Sequence, residues 1–325
     1  MSDPLGDTFG AAAYGGPGWR PRAGAHGDEI GAIWRRAGVR DEWSPLRAVV
    51  LHRPGDELAI RDPADAVQMI APPDPARVRD EHDAIAAAYE DAGVAVHYVA
   101  PAETPPPNQM FVADLMFMTP EGAILARPAS MVRAGEERWV ARRLADLGVP
   151  ILRTLTGRAT FEGADAMWLD DETVVIARGL RTNDEGIAQV SDALAAIGVA
   201  TLPVDLPFGT MHLMGMLRIV APDLAVAWPR RTPFAAVTAL RARGYRVLFL
   251  PDDGEAQRNH ALNFVTLAPG RVLMIAGNPR TQAFYEDNGI DCLRVSADEL
   301  IKAAGGVGCL TGVLAREGGA GRRAA

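Results

Sequence analysis

A chain of 325 residues carries 41 acidic against 33 basic side chains, and its net charge of −8 argues against a nucleic-acid-binding surface. An apolar content of 48% supplies a sizeable core and excludes wholesale disorder. Two cysteines, Cys292 and Cys309, cannot build a disulfide framework, so a reducing, cytoplasmic setting is the default expectation.

Residues 1–28 are rich in Gly, Pro and Ala and lack the unbroken apolar stretch of a signal peptide, so they read as a flexible arm. No later run approaches the roughly 20 apolar residues that cross a bilayer. Residues 29–318 read as one domain, and 319–325 as a frayed tail.

The domain opens on an apolar strand, LRAVVL at 46–51, with no hairpin partner before it. Residues 56–74 then read as a loop over the site. A helix follows, stops at Gly93 and gives way to a short apolar strand. The same helix–glycine–strand signal returns at Gly148, Gly198, Gly244 and Gly289, at intervals of 55, 50, 46 and 45 residues. Glycine there ends a helix in the left-handed conformation, and recurrence marks a repeated unit. Before the later helices lie pairs of apolar runs joined by turns: MFVADLMFM and AILARP, GADAMWL and VVIARG, HLMGMLRIV and LAVAWP, ALNFVTL and RVLMIAGNP. The order strand, strand, helix, strand repeats. The unpaired first strand finds its partner in CLTGVLARE at the far end of the domain. Five units closed in this way make an α/β fold, a five-bladed pseudo-symmetric propeller of ββαβ units.

In such a ring the starts of the inner strands face one central cavity. The polar residues there are Asn108 and Asp114, Glu162 and Asp165, His212, His260 and Asn263, with Cys309 on the closing strand. Each has an ordinary reading alone: a lone Cys is usually a small buried hydrophobe, and Cys292 is read so. Cys309 differs because Gly305, Gly306 and Gly308 precede it, which allows close backbone approach and an exposed thiol. His52, His82 and His97 are structural or surface residues on this reading. Asp114 has no Lys or Arg in its own segment, so a cationic ligand is its expected partner. Arg127 and Arg181, at the ends of second strands, are candidates to hold a substrate carboxylate, whereas Arg133 reads as a solvated loop residue. No phosphate loop, dinucleotide fingerprint or zinc spacing occurs, so neither metal nor cofactor is expected.

NxMFxxD at 108–114, FEGAD at 161–165, RTN at 181–183, the HL of His212 and the glycine-preceded Cys309 together resemble the guanidino-group-modifying enzymes. That superfamily includes arginine deiminases, arginine dihydrolases, dimethylarginine dimethylaminohydrolases and amidinotransferases. The resemblance spans nearly all of 42–315 and implies the pentein propeller. It makes Cys309 the nucleophile, His212 the general acid/base and Glu162 the carboxylate that orients it. It implies that Asp114 grips guanidinium nitrogens, that Arg127 and Arg181 hold an α-carboxylate, and that Asn108, Asp165 and Asn263 contact substrate. The deiminase pattern has Arg where this chain has Ala113. Deiminases and amidinotransferases carry a second Asp where it has Met214.

The chemistry expected is hydrolysis of a C–N bond in arginine or a derivative, through a thiouronium on Cys309. Transfer of the amidino group to an acceptor amine is the alternative, and a non-catalytic binder of a basic amino acid is the alternative of another class. The expected partner is a small guanidino compound rather than a nucleic acid or a membrane; a homo-oligomer is compatible with the sequence.

Overall fold

A computed structural model describes residues 20–60, 62–251 and 253–321 of the chain. Five three-stranded sheets are arranged as blades. In each, an inner strand runs antiparallel to a middle one, and the middle strand runs parallel to an outer one. The second blade shows the plan: Met116–Thr119 pairs with Gly122–Leu125, which pairs with Ile151–Thr154. Its middle strand is buried throughout, as expected of a strand covered on both faces.

The first blade closes the ring. Leu46–Leu51 lies between Ala95–Tyr98 and the C-terminal strand Gly312–Arg316, with Val49 opposite Val313. The five periodic glycines all have positive φ, between 71° and 86°. They end the preceding helices as the spacing predicts. The helices start on side-chain caps where the sequence offers one. Asp74 accepts from the amides of Ala76 and Arg77 ahead of Pro75–Asp91, and Asn183 accepts from Gly186 ahead of Asp184–Ala195. Ile187, Val190 and Leu194 then form the buried stripe of the latter helix.

Tight turns lead into the inner strands at the centre of the ring. Short 3₁₀ turns occupy Val112–Asp114, Gly163–Asp165 and Leu213–Gly215. They lie side by side, and this crowding explains the glycine of FEGAD: a Cβ at Gly163 would sit 2.2 Å from the carbonyl oxygen of Met116 and 2.5 Å from that of Ala113.

Three expectations about the chain need correction. Cys309 is not on the closing strand but on a single helical turn, Val307–Leu310, just before it. The chain is packed beyond 318: Gly319 and Gly321 are buried, and the Gly321 amide donates to Pro120 O at 2.7 Å. Of the arm expected at 1–28, residues 1–19 lie outside the described residues. Residues 20–28 include the start of the short helix His26–Glu29, whose His26 Nε2 lies 2.9 Å from Glu121 O.

Candidate active site

The turns deliver side chains to one cavity. Glu162 and His212 each occupy the residue just before a 3₁₀ turn, in extended backbone. Asp114 and Asp165 each occupy the third residue of one. His212 and Cys309 line the same cavity wall, as the sequence led us to expect.

An ion-pair network surrounds the imidazole. His212 Nε2 lies 2.6 Å from Glu162 Oε2 and 3.8 Å from Asp114 Oδ1. The other oxygen of Glu162 accepts from Arg181 Nη1 at 3.2 Å and from the Ala129 amide at 3.2 Å. Burial opposes charge on His212, but the carboxylates of Asp114, Glu162 and Asp165 outweigh it and bring the imidazole up to about 9. Burial likewise opposes charge on Glu162, yet the bond to His212 and the nearby guanidinium groups hold its carboxyl below the usual range. The resting pair is imidazolium and carboxylate.

The expected partner of Asp114 was a ligand; the structure supplies one from the chain. Arg133 Nη1 donates to Asp114 Oδ2 at 2.6 Å, and its Nε and Nη2 clasp Glu136 Oε2 at 2.9 and 2.8 Å. Burial, with Asp114 and Glu162 close by, pushes Glu136 up to about 7 despite that clasp. Asp114 Oδ1 is buried without a hydrogen-bond partner. Arg133 therefore lines the cavity beside Arg181, and its reading as a solvated residue was wrong. Its register was hidden because it lies in a loop turn, Met131–Arg133, away from the strand end that drew attention to Arg127. Arg127 itself is exposed, donates to Ala159 O at 2.9 Å and pairs its backbone with Phe161. It does not line this cavity.

Asp165 is fully buried behind the wall rather than in it. Thr182 Oγ1 donates to its Oδ2 at 2.7 Å and the Leu213 amide to its Oδ1 at 3.1 Å. Burial pushes this carboxyl up to about 6. The RTN segment thus divides its work: Arg181 holds Glu162, Thr182 holds Asp165, and Asn183 caps a helix.

Cys309 is clamped by Asn263. Asn263 Nδ2 lies 2.9 Å from the sulfur, while its Oδ1 accepts from the amides of Gly308 at 2.6 Å and Cys309 at 3.2 Å. A Cβ at Gly308 would lie 2.9 Å from that oxygen, so glycine serves this clamp rather than an open approach. Asn263 lines the cavity, but its bonds run to the nucleophile segment. Burial and then the negative field of Asp114 push the thiol up; Asn263, a Gly306 backbone contact and Arg218 pull the other way. Asn108 is buried, donates to Val67 O at 2.8 Å and thereby ties the 56–74 loop to the cavity, where Gln68 forms part of the lining. Asp114, Glu162 and His212 offer donor atoms within 4.8 Å of one another, enough in number for a metal. Glu162 already bonds His212, however, and Arg133 already engages Asp114.

The sequence profile described as N,N dimethylarginine dimethylhydrolase, eukaryotic, matches residues 73–314. The chain belongs to this dimethylarginine dimethylhydrolase family. Through it, the chain belongs to the guanidino-group-modifying superfamily of penteins. An uncharacterized Bacillus subtilis protein, YkgA, is 25% identical over 85% of this chain and 94% of its own length. The dimethylarginine dimethylaminohydrolase of Pseudomonas aeruginosa is 26% identical over 74% of this chain and 89% of its own. A solved variant of the Pseudomonas enzyme with citrulline superposes with a TM-score of 0.69 at 22% identity, covering 82% of this chain and 98% of that one, and shares the fold. Among the described residues, no helix is long and apolar enough to cross a membrane.

Proposed function

We propose that the protein hydrolyses a C–N bond of the guanidino group of arginine or an arginine derivative, with Cys309 as nucleophile. One observation carries this reading: Asp114, whose Oδ1 is buried without a hydrogen bond, belongs to the cavity wall that also contains His212 and Cys309. A buried carboxylate oxygen without a donor is costly, and a planar cation with several N–H groups supplies what it lacks.

On this reading Asp114 holds the guanidinium so that its carbon faces sulfur, while Glu162 holds His212. The cation lowers the thiol's pKa, offsetting the burial and the Asp114 field that raise it in the free protein. The thiol gives its proton to bulk water, and the thiolate attacks carbon. His212, with Nε2 committed to Glu162, gives its other ring proton to the departing nitrogen. The C–N bond breaks, the amine leaves and a thiouronium remains on Cys309. The now neutral His212 takes a proton from water, whose oxygen adds to the carbon. The C–S bond then breaks to release a ureido product and the thiolate; the last proton lost from that product ends on the amine in bulk water. Of the two cavity arginines Arg133 is spent on Asp114 and Glu136, which leaves Arg181 for an acid end. Asn263 positions sulfur.

Mass spectrometry of products from arginine, methylated arginines, agmatine and guanidinoacetate tests the reading. A ureido product from wild type, lost in Cys309→Ser, supports it; equal turnover by the Ser variant ends it. A product that forms only when an acceptor amine is added assigns amidino transfer instead.

A further inference from the structure

Behind the turn that carries Cys309 lies a small chamber of about 50 Å³. Glu42, Arg218, Gly308 and Arg316 line it, together with Met214, which also lines the substrate cavity. Cys309 thus faces the cavity, and its neighbour Gly308 faces this chamber. Arg218 stands on the inner strand Leu217–Ala221 of the fourth blade. Alternation puts it on the face of Met216 and Val220, which pack with Phe264. Its Nη2 donates to Phe264 O, and its guanidinium carbon lies 5.2 Å from the centre of the Phe264 ring. That carbonyl borders the nucleophile turn: a Cβ on Gly308 would stand 3.3 Å from it. Phe264 also follows Asn263, whose amide clamps Cys309.

A guanidinium is costly to bury unless a carboxylate meets it. Among the described residues neither Arg218 nor Arg316 forms an ion pair. Arg316 is spent on the carbonyls of Ser44 and Thr266, at 2.7 and 3.0 Å, and Glu42 accepts from the Trp168 amide at 3.0 Å. Two positive groups therefore share one carboxylate, and the excess lies beside the nucleophile. Burial opposes the charge on Arg218; Glu42, the sulfur of Cys309 and the Tyr89 hydroxyl favour it, and Arg316 opposes it.

We infer that Arg218 is a positioning residue of the nucleophile: from behind the turn it fixes Phe264, and with it the Asn263 clamp, and it supplies a standing positive charge that favours the Cys309 thiolate. The inference deepens the hydrolase reading, in which Cys309 attacks. A cationic substrate assists the thiolate only while bound, whereas Arg218 acts before it arrives. It works against Asp114, which repels the thiolate from the front. An apolar side chain would pack on Phe264 but leave that repulsion unopposed from behind. Arg218 keeps its proton throughout, and the thiol proton leaves to bulk water as before.

The test alkylates the full chain with iodoacetamide between pH 6 and pH 10. Mass spectrometry follows the peptide of Cys309 separately from that of Cys292. Arg218→Met should raise the Cys309 midpoint by about half a unit to one unit and slow its alkylation at pH 7 by about three- to ten-fold. Arg218→Lys, which restores the charge without the planar fork, should recover at least half of that shift. Arg218→Met combined with Glu42→Gln strands no carboxylate in the chamber, and serves should the single variant fail to fold; its midpoint should also rise. A midpoint that stays in place in a folded Met variant, or that Lys moves as far as Met does, overturns the inference. The measurement needs no substrate, so it stands apart from the product screen. A shift in a chain that gives no ureido product supports the role of Arg218 and counts against the hydrolase reading alone.

Discussion

Nε2 of His212 sits 2.6 Å from Oε2 of Glu162, with both side chains buried. Burial alone would strip the imidazole of its proton, yet the surrounding carboxylates raise it to about 9. Glu162→Gln removes the bonded charge. The imidazole titration, followed by NMR, should fall by a unit or more, and turnover by about a hundred-fold. The sign for stability follows. A raised imidazole stabilises the fold fully below its ordinary 6.5, and that contribution is lost as pH climbs through about 9. Thermal unfolding across that window should show the loss in wild type and a smaller one in the variant.

The thiol leads to a less intuitive expectation. Burial raises Cys309, and Asp114 raises it further by repelling the thiolate. Asp114→Asn should therefore speed alkylation by iodoacetamide at pH 7 while abolishing turnover of guanidino compounds. A rate of modification that falls in this variant would show that Asp114 acts on the sulfur through structure rather than charge.

The ring itself was legible because helix-ending glycines need only a backbone conformation, and five of them repeat. Closure was legible because the strand at 46–51 lacked a neighbour that 312–316 could supply. The meeting of His212 and Cys309 at one cavity was legible for the same reason, since equivalent places in successive units converge on the axis, whereas the arrival of Arg133 was not. What the residues do there was harder to read. Asp114 and Asp165 hold the same place in their turns, but one keeps a bare oxygen and the other spends both on Thr182 and Leu213. That difference depends on which neighbouring loop arrives, and no pattern in either segment encodes it. Cys309 was placed on a strand because apolar residues follow it, although the helical turn at 307–310 is too short to show a period.

Asp165 gives a direct test of that division. Asp165→Ala leaves the Leu213 amide and the Thr182 hydroxyl unpaired in the interior, a loss on the order of 2 kcal/mol or more. Denaturant unfolding should register it. If the carboxylate only supports the turn before His212, kcat should fall more than KM rises; a KM that rises alone would return Asp165 to the substrate.

Arg127 and Arg133 separate the strand-end expectation from the observed site. Arg127→Ala removes an exposed side chain with one bond to Ala159 O, and KM should stay within about two-fold, as for other surface changes. Arg133→Met strands two buried carboxylates, Asp114 and Glu136, at a cost of about 3–5 kcal/mol at neutral pH. Glu136 already stands at about 7 with Arg133 present, because its burial disfavours the charged form. Without the guanidinium the Glu136 carboxyl rises further and takes a proton as the medium becomes acidic. The deficit of Arg133→Met against wild type should therefore shrink between pH 8 and pH 5, which paired urea titrations would measure. A deficit that stays constant across that range would mean that the guanidinium contributes packing and hydrogen bonds without neutralising these two acids.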